Sequence, residues 1–473
     1  MDRRNFIKSA TLAGIGVITP SALRATDFFY DFPVVRTPLS ERRFNSSIIE
    51  ETIKTFGKKV KNKELAWMFN NCFPNTLDTT VFPYHENGED YTYVITGDID
   101  AMWLRDSSAQ VWPYLHFMEK DPKLKKLILG LIKKQSKCIN IDPYANAFYN
   151  DPERTGEWAK DLTDMKPGIH ERKWEIDSLC YPIRLAYHFW KISEDTSAFN
   201  DEWLKAQKNI YKTFVEQQRK NDLGPYHFMR NTPRGSDTLQ VDGYGYPVNP
   251  VGLICSSFRP SDDSTLFSFL IPSNLFAVVS LRQSAEILQK VKNETELAQQ
   301  FLDLANEVEK AVQEHGIINH PTLGRVFAYE IDGFGSHLMM DDANVPSLLA
   351  LPYLGAIDVN DEVYQRTRKY ILSDKNPFFF KGSEGEGIGG PHIGRGYIWP
   401  MSIIMRGMTS TDENEIRNCI QMLRKTHGGT GFMHESFYQD DAKKFTRKWF
   451  AWANTLFGEF LWKTLEEKPH LLS

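Results

Sequence analysis

Close cysteine pairs, metal-ligand spacings, long apolar runs and a basic excess are all missing from this sequence. Five cysteines, at 72, 138, 180, 255 and 419, are spread through 473 residues. That is too wide and too odd a set for a disulfide framework or a zinc site, both of which need close pairs, so buried free thiols are expected. Twelve histidines are equally scattered, with no H-E-x-x-H, no EF-hand loop and no G-x-S-x-G nucleophile elbow. Asp98, Asp100, Asp341 and Asp342 lack ligand partners at useful spacing, and neither a metal nor another cofactor is expected. Beyond the first 25 residues no stretch approaches eighteen uninterrupted apolar positions, which excludes a membrane span in the mature chain. The 56 basic and 61 acidic residues leave a net charge of −5 without runs of either sign, which argues against a nucleic-acid partner, since phosphate contacts demand a basic face. Alternating strand patterns are scarce, the best being 91–96 and 326–330.

What is present is aromatic and helical. Phe, Tyr and Trp number 31, 19 and 11, together 13% of an otherwise ordinary globular composition, and aromatic faces either pack a core or line a ligand site. Helical periodicity recurs from about residue 42: Leu124, Leu127, Ile128 and Leu131 lie on one stripe, as do Leu275, Val278, Val279 and Leu281. Similar patterns near 42–57, 107–118, 178–192, 201–217, 296–313, 361–372, 414–425 and 447–464 give about ten helices, with two more expected near 344–354 and 397–407. Length alone suggests about three domains. No linker or composition shift divides the chain, however, so one helical domain is the economical reading. Long segments at 143–172, 222–262, 327–343 and 376–399 connect the helices, and loops of such length are functional or disordered. Their Tyr, Trp and Arg content favours function.

The N-terminus has a different character. Arg3 and Arg4 precede Phe6, then a small and apolar run 10–18, Pro20 and the small residues Ala22 and Ala25. This order reads as a bacterial twin-arginine export signal. Residues 1–25 are expected to be removed, leaving 26–473 as a single domain in the periplasm.

Five clusters carry chemistry. The first, 97–108 (GDIDAMWLRDSS), sets Asp98, Trp103, Arg105 and Asp106 before a helix; Asp106 or Ser107 serves as a cap, but capping does not explain Asp98, Trp103 and Arg105 together. Charged groups for hydroxyls beside an apolar face suit a sugar ring. The second, 174–179 (WEIDSL), offers Asp177 as either N-cap or ligand. The third, 258–264 (FRPSDDS), puts Arg259 beside the adjacent carboxylates Asp262 and Asp263, where differing surroundings separate two acidities; a helix entry explains it equally well. The fourth, 382–400, contains G-x-G-x-x-G at Gly385, Gly387 and Gly390, but Pro391 follows where a helix should open, so a dinucleotide site fails and a loop bearing His392, Arg395 and Trp399 remains. The fifth, 431–437 (GFMHESF), surrounds Glu435 with aromatics, as a tuned base or as a buried partner of an arginine.

Taken together, the segments GDIDAMWLRDSS, WEIDSL, FRPSDD, IPSNLF (271–276), GPHIGRGYIWP (390–400) and MHESF (433–437) resemble glycoside hydrolase family 125, over about 45–465. The resemblance implies an all-α (α/α)6 toroid with long loops around the active-site cavity and a metal-independent, exo-acting, inverting α-1,6-mannosidase. Its substrates would be mannose-containing oligosaccharides such as mannan or N-glycan fragments. It implies Glu435 as general base and one of Asp262 and Asp263 as general acid, with Asp98, Trp103, Arg105, Asp106, Asp177, Arg259 and His392 as sugar contacts. Inverting hydrolysis uses two carboxyl groups about 6.5 to 9.5 Å apart, which a closed ring of helices can supply from distant sequence positions. The alternatives are another toroid glycosidase, for instance one acting on glucosides, and a non-catalytic glycan-binding protein that keeps the aromatic cavity.

Overall fold

The computed structural model describes residues 31–472, so the signal-like segment 1–25 lies outside the described residues. Residues Val35–Ser473 make one compact unit. Thirteen α-helices are found among the described residues, in two layers whose sequences differ in kind. Ile271–Ile287 is buried on nearly every side, whereas Thr295–His315, packed against it, buries a single stripe through Ala298, Phe301, Leu304, Ala305, Val308 and Val312. An all-round apolar helix belongs inside and a striped one outside.

The inner layer is a ring. Leu104–Val111 packs on Ile176–Ser193, and that helix on Ile271–Ile287; Pro400–Met408 packs on Ala451–Glu467, which returns to Leu104–Val111. The remaining gap is filled by 344–354, a buried run of turns, tied across the ring where Tyr181 Oη donates to Val345 O at 3.0 Å and Tyr353 Oη to Glu459 Oε2 at 3.0 Å. A helix was expected here. Pro346 and Pro352 supply no backbone N–H and crowd the preceding turn, which breaks a helical ladder, and Asp341 instead accepts from the N–H groups of Leu348 and Leu349 at 2.8 and 3.0 Å.

Outer helices include Pro122–Ile141, Asp201–Glu216, Thr295–His315, Glu362–Ile371 and Glu413–Lys425, with Lys63–Cys72 beside Ala451–Glu467 and Ser47–Lys59 packed on Lys63–Cys72. Lys63–Cys72 is absent from the sequence expectations: it buries Leu65, Ala66, Trp67, Met68, Phe69, Asn71 and Cys72 on several sides, so no single stripe announces it.

The paired helical layers agree with the toroid expectation, but all-α is too narrow a class. Six small sheets also occur among the described residues, most built from two- or three-residue strands in the long loops. One joins Met102–Trp103, Ala147–Phe148 and Ile169–Glu171; another joins Tyr397–Ile398, Ser436–Tyr438 and Asp441–Thr446. Buried loop backbone must find hydrogen-bond partners, and these short ladders provide them. The five cysteines are buried and unpaired, as expected.

Candidate active site

The two helical layers begin differently. Six of the outer helices are capped by side chains, with Ser46, Asn62, Asp121, Asn200, Asp361 and Asp412 each accepting from the first turn, Thr295–His315 being the exception. The five inner helices have Trp103, Glu175, Leu270, Trp399 and Phe450 at the cap position, none making a capping hydrogen bond with its side chain. Neighbouring loops take over the exposed N–H groups: Leu104 N donates to Asn146 O at 3.0 Å, Ile176 N to Ser256 Oγ at 3.2 Å, Ile271 N to Tyr329 O at 2.9 Å and Ala451 N to Thr96 O at 3.0 Å. Loop and helix entry are thereby knit together around one end of the ring. The expectation that Asp106, Ser107 or Asp177 caps a helix is corrected accordingly: Asp106 and Asp177 lie inside the first turn, freeing their carboxylates for another partner.

That partner is Arg105. Its Nη1 donates to Glu175 Oε2 at 2.5 Å and Asp177 Oδ2 at 3.1 Å, its Nη2 donates to Asp262 Oδ1 at 3.2 Å, and Asp106 Oδ2 stands 3.4 Å from its Nε. Arg105, Asp106, Glu175 and Asp177 are all buried. Burial pushes Glu175 well above the ordinary carboxyl range and Asp177 up to about 6, against the pull of Arg105; Asp106 is raised for the same reason.

The two candidate acids face different surroundings. Asp262 takes a left-handed backbone, φ 65°, in a tight turn where its N–H donates to Arg259 O at 2.9 Å and Arg259 N donates to Asp263 O at 2.7 Å. An Asp tolerates that region better than most residues. The turn is pinned from outside: Lys173 Nζ donates to Asp262 O at 2.8 Å, Ser261 Oγ to Asp342 Oδ2 at 3.1 Å, and Arg259 Nε to Glu330 Oε1 at 2.6 Å. The Asp262 side chain is 25% exposed, that of Asp263 only 3%. Burial works against the charge on Asp262, but Arg105 and Lys173 outweigh it and hold the carboxyl well below the usual range. Asp263 Oδ1 lies 3.3 Å from His392 Nδ1, and its Oδ2 is buried without a partner. Burial disfavours the His392 cation, but Asp263, Glu435 and Asp262 together raise its pKa.

Glu435 is 4% exposed and meets a second arginine, Arg447, at 3.6 Å. Arg447 also donates to Asp98 Oδ1 at 2.6 Å and Thr96 Oγ1 at 3.2 Å. Trp103 packs edge-on against His170, ring centres 5.0 Å apart, with its indole N–H buried and unpartnered.

Of the residues singled out from sequence, the structure thus joins Arg105, Asp106, Asp177 and Asp262 in one network, Asp263 with His392, and Asp98 with Glu435 through Arg447. Arg259 is paired with Glu330, and Asp177 is fully buried against Arg105. Sequence reasoning missed Glu175, Lys173, Asn146 and Arg447. Glu175 stood inside WEIDSL and was passed over for Asp177; Arg447 belongs to no recognisable motif. Among the described residues no group of three or more His, Cys, Asp or Glu side chains could hold a metal ion, and no helix is long and apolar enough to cross a membrane.

The model of the family described as metal-independent alpha-mannosidase (GH125) matches residues 62–462. The chain belongs to glycoside hydrolase family 125. It is therefore a glycoside hydrolase of the α-mannosidase type. Among family 125 relatives, a Streptococcus pneumoniae metal-independent α-mannosidase, solved as a non-productive complex with α-1,6-mannobiose, is 41% identical with a TM-score of 0.86, covering 90% of this chain and all of that one. The meiotically up-regulated gene 157 protein of Schizosaccharomyces pombe is 42% identical over 93% of this chain and 90% of its own length. A bacterial glucoamylase solved with acarbose shares the fold alone, at 14% identity and a TM-score of 0.56 over 89% of this chain and 59% of that one. The glucoamylase likeness accounts for the paired (α/α)6 layers of a family 125 chain. The fission yeast relative overturns the bacterial periplasmic location expected from the N-terminus: so close a match, nearly end to end, is a eukaryotic protein.

Proposed function

We propose that this family 125 enzyme is an exo-acting α-1,6-mannosidase that hydrolyses terminal mannose with inversion, Asp262 protonating the leaving oxygen and Glu435 activating water. Residues 35–473 act as one catalytic unit on mannose-containing oligosaccharides. The observation that carries the reading is the segregation of the two carboxyl groups onto separate arginines, Asp262 on Arg105 and Glu435 on Arg447, as an acid and a base on opposite sides of a sugar ring require. Asp262 is preferred to Asp263 because its carboxyl reaches open space, while Asp263 is buried against His392.

In the reaction, the Asp262 proton passes to the glycosidic oxygen as the C1–O bond breaks, its electron pair staying on that oxygen. Glu435 takes a proton from the attacking water as the new C1–O bond forms on the opposite face. Asp98 and Asp106 offer acceptors for sugar hydroxyls, His392 a donor, and Trp103 an apolar face. Asp177 and Arg259 orient these groups without touching sugar. The relative solved with α-1,6-mannobiose supports the choice of linkage. Proton NMR of α-1,6-mannobiose hydrolysis in EDTA tests the reading. β-Mannose is the expected first product; α-mannose formed first, loss of turnover to chelation, or mannoside binding without turnover overturns it.

A further inference from the structure

The resting charge on Asp262 poses a problem for an acid, and its neighbour Glu175 resolves it. Glu175 is fully buried. One of its oxygens is held by Arg105 Nη1 at 2.5 Å and by Ser178 Oγ at 2.9 Å. The other, Oε1, is buried and receives no hydrogen bond from any donor group, while the carboxyl as a whole stands within hydrogen-bonding reach of Asp262. A buried carboxylate oxygen with no donor is costly, and the cost disappears if that oxygen carries a proton and donates it. The surrounding charges demand the same. Asp106, Glu175, Asp177 and Asp262 all crowd one guanidinium, and the second cation nearby, Lys173, is already engaged by Asp237 and the Asp262 carbonyl. Of the further groups whose charge is felt at this pair, Tyr226 is buried on the Glu175 side and His392 lies on the Asp262 side.

We propose that Glu175 is the positioning residue that stores the proton Asp262 delivers. This rests on Asp262 being the general acid. At rest the Glu175 hydroxyl donates to the Asp262 carboxylate. As the glycosidic bond breaks, the Glu175 proton moves across to Asp262 and Asp262 passes it on to the glycosidic oxygen, leaving Glu175 and Asp262 both ionised against Arg105. The proton that Glu435 removes from water is released to solvent, and one proton from solvent restores Glu175, so each turnover consumes only water. The opposed shifts of the two carboxyls, Glu175 upward by burial and Asp262 downward by Arg105 and Lys173, agree with this resting arrangement.

The test compares wild type, Glu175→Gln, Glu175→Asp and Asp262→Asn on α-1,6-mannobiose and on α-D-mannosyl fluoride, whose leaving group needs little protonation. Glu175→Gln should lose about 100-fold in kcat on mannobiose, within the usual range for general acid catalysis, but no more than about threefold on the fluoride. Its remaining mannobiose activity should be shifted to lower pH, since Asp262 must then draw its proton from solvent. Glu175→Asp, which keeps a transferable proton, should recover part of the loss. Equal losses on both substrates, or an unmoved pH profile, assign Glu175 a merely structural role and overturn the proposal, as does near-wild-type turnover of mannobiose by Glu175→Gln. If Asp262→Asn retains wild-type turnover, the assignment of Asp262 as the acid has failed instead, and with it the relay.

Discussion

Arg447 stands 3.6 Å from Glu435 while donating to Asp98 at 2.6 Å. One guanidinium thus joins two segments, GDID and MHESF, that lie at opposite ends of the chain. Its plane lies over the ring of Phe450, 4.8 Å from the centroid, at the entry to the last inner helix. Arg105 plays the equivalent part for Asp262, and Asp106 feels both arginines. Each of the two carboxyl groups is therefore held by its own arginine near a helix entry, and rigid placement of that kind is what orients reacting groups.

Removing the second arginine should accordingly cost chemistry before it costs the fold. Arg447→Met keeps the contact with Phe450 but frees Glu435 and Asp98, and kcat on α-1,6-mannobiose is expected to fall by about 100-fold, as for a displaced general base. Thermal denaturation run in parallel should show a native-like transition. A rate near wild type would show that Arg447 does not position Glu435.

The same junction depends on a glycine. Gly97 has φ +134°, and a Cβ built on it would meet the Trp449 carbonyl oxygen at 2.5 Å, where the two backbones pair through Gly97 and Phe450. Neither strand can yield without moving Asp98 or Arg447. Gly97→Ala is expected to lose about 2 kcal/mol or more of stability and to lower kcat as well, measurable by urea unfolding and steady-state rates. Full retention of both would mean that the close approach is dispensable.

How much of this was legible beforehand depended on the range of the interaction. Ile176–Ser193 and Pro122–Ile141 were legible because helical periodicity is local. Segment 344–354 misled because its apolar spacing is helical, while Pro346 and Pro352 and the acceptor Asp341 decide its path. The sheet joining Met102–Trp103 to Ala147–Phe148 could not be read: two residues carry no period, and the pairing is a property of the closed ring. The site divided in the same way. Asp262, Asp263 and Glu435 stood out inside motifs, but the partners that govern them, Arg105 across to Asp262, Glu175 beside it and Arg447 behind Glu435, are set by tertiary contacts. Asp106 and Asp177 looked like caps because Asp caps so many helices; here the cap positions hold Trp103 and Glu175.

Asp341 offers a test of the turn-built sixth position. It is buried, and burial pushes its carboxyl up to about 8 despite the two backbone donors. Asp341→Ala would strand the N–H groups of Leu348 and Leu349 inside the ring. The expected loss is about 2 to 4 kcal/mol, read as a lower urea midpoint, with Asp341→Asn losing less because an amide oxygen still accepts. Equal stability of all three proteins would show that Asp341 does not hold the segment.

The opposite end of the ring predicts a pH dependence. A cavity of about 480 Å3 opens there, lined in part by Trp112, Arg184, Tyr353 and Glu459. Glu459 accepts from Trp112 Nε1 and Tyr353 Oη, both at 3.0 Å, tying the last inner helix to two neighbours, and burial pushes its carboxyl up to about 7. Because the folded pKa lies above the ordinary value, the native state holds a proton that the unfolded chain has already released. The contribution is thus fully present below about pH 4.5 and is lost as pH rises towards 7. The span corresponds to about 3 kcal/mol. Glu459→Gln keeps the shape and an acceptor but cannot ionise, so its stability should fall less than that of wild type between pH 5 and 8, and the variant should be the more stable protein at pH 8. Chemical denaturation at several pH values distinguishes the outcomes: parallel pH curves for the two proteins would mean that Glu459 does not titrate in the folded state.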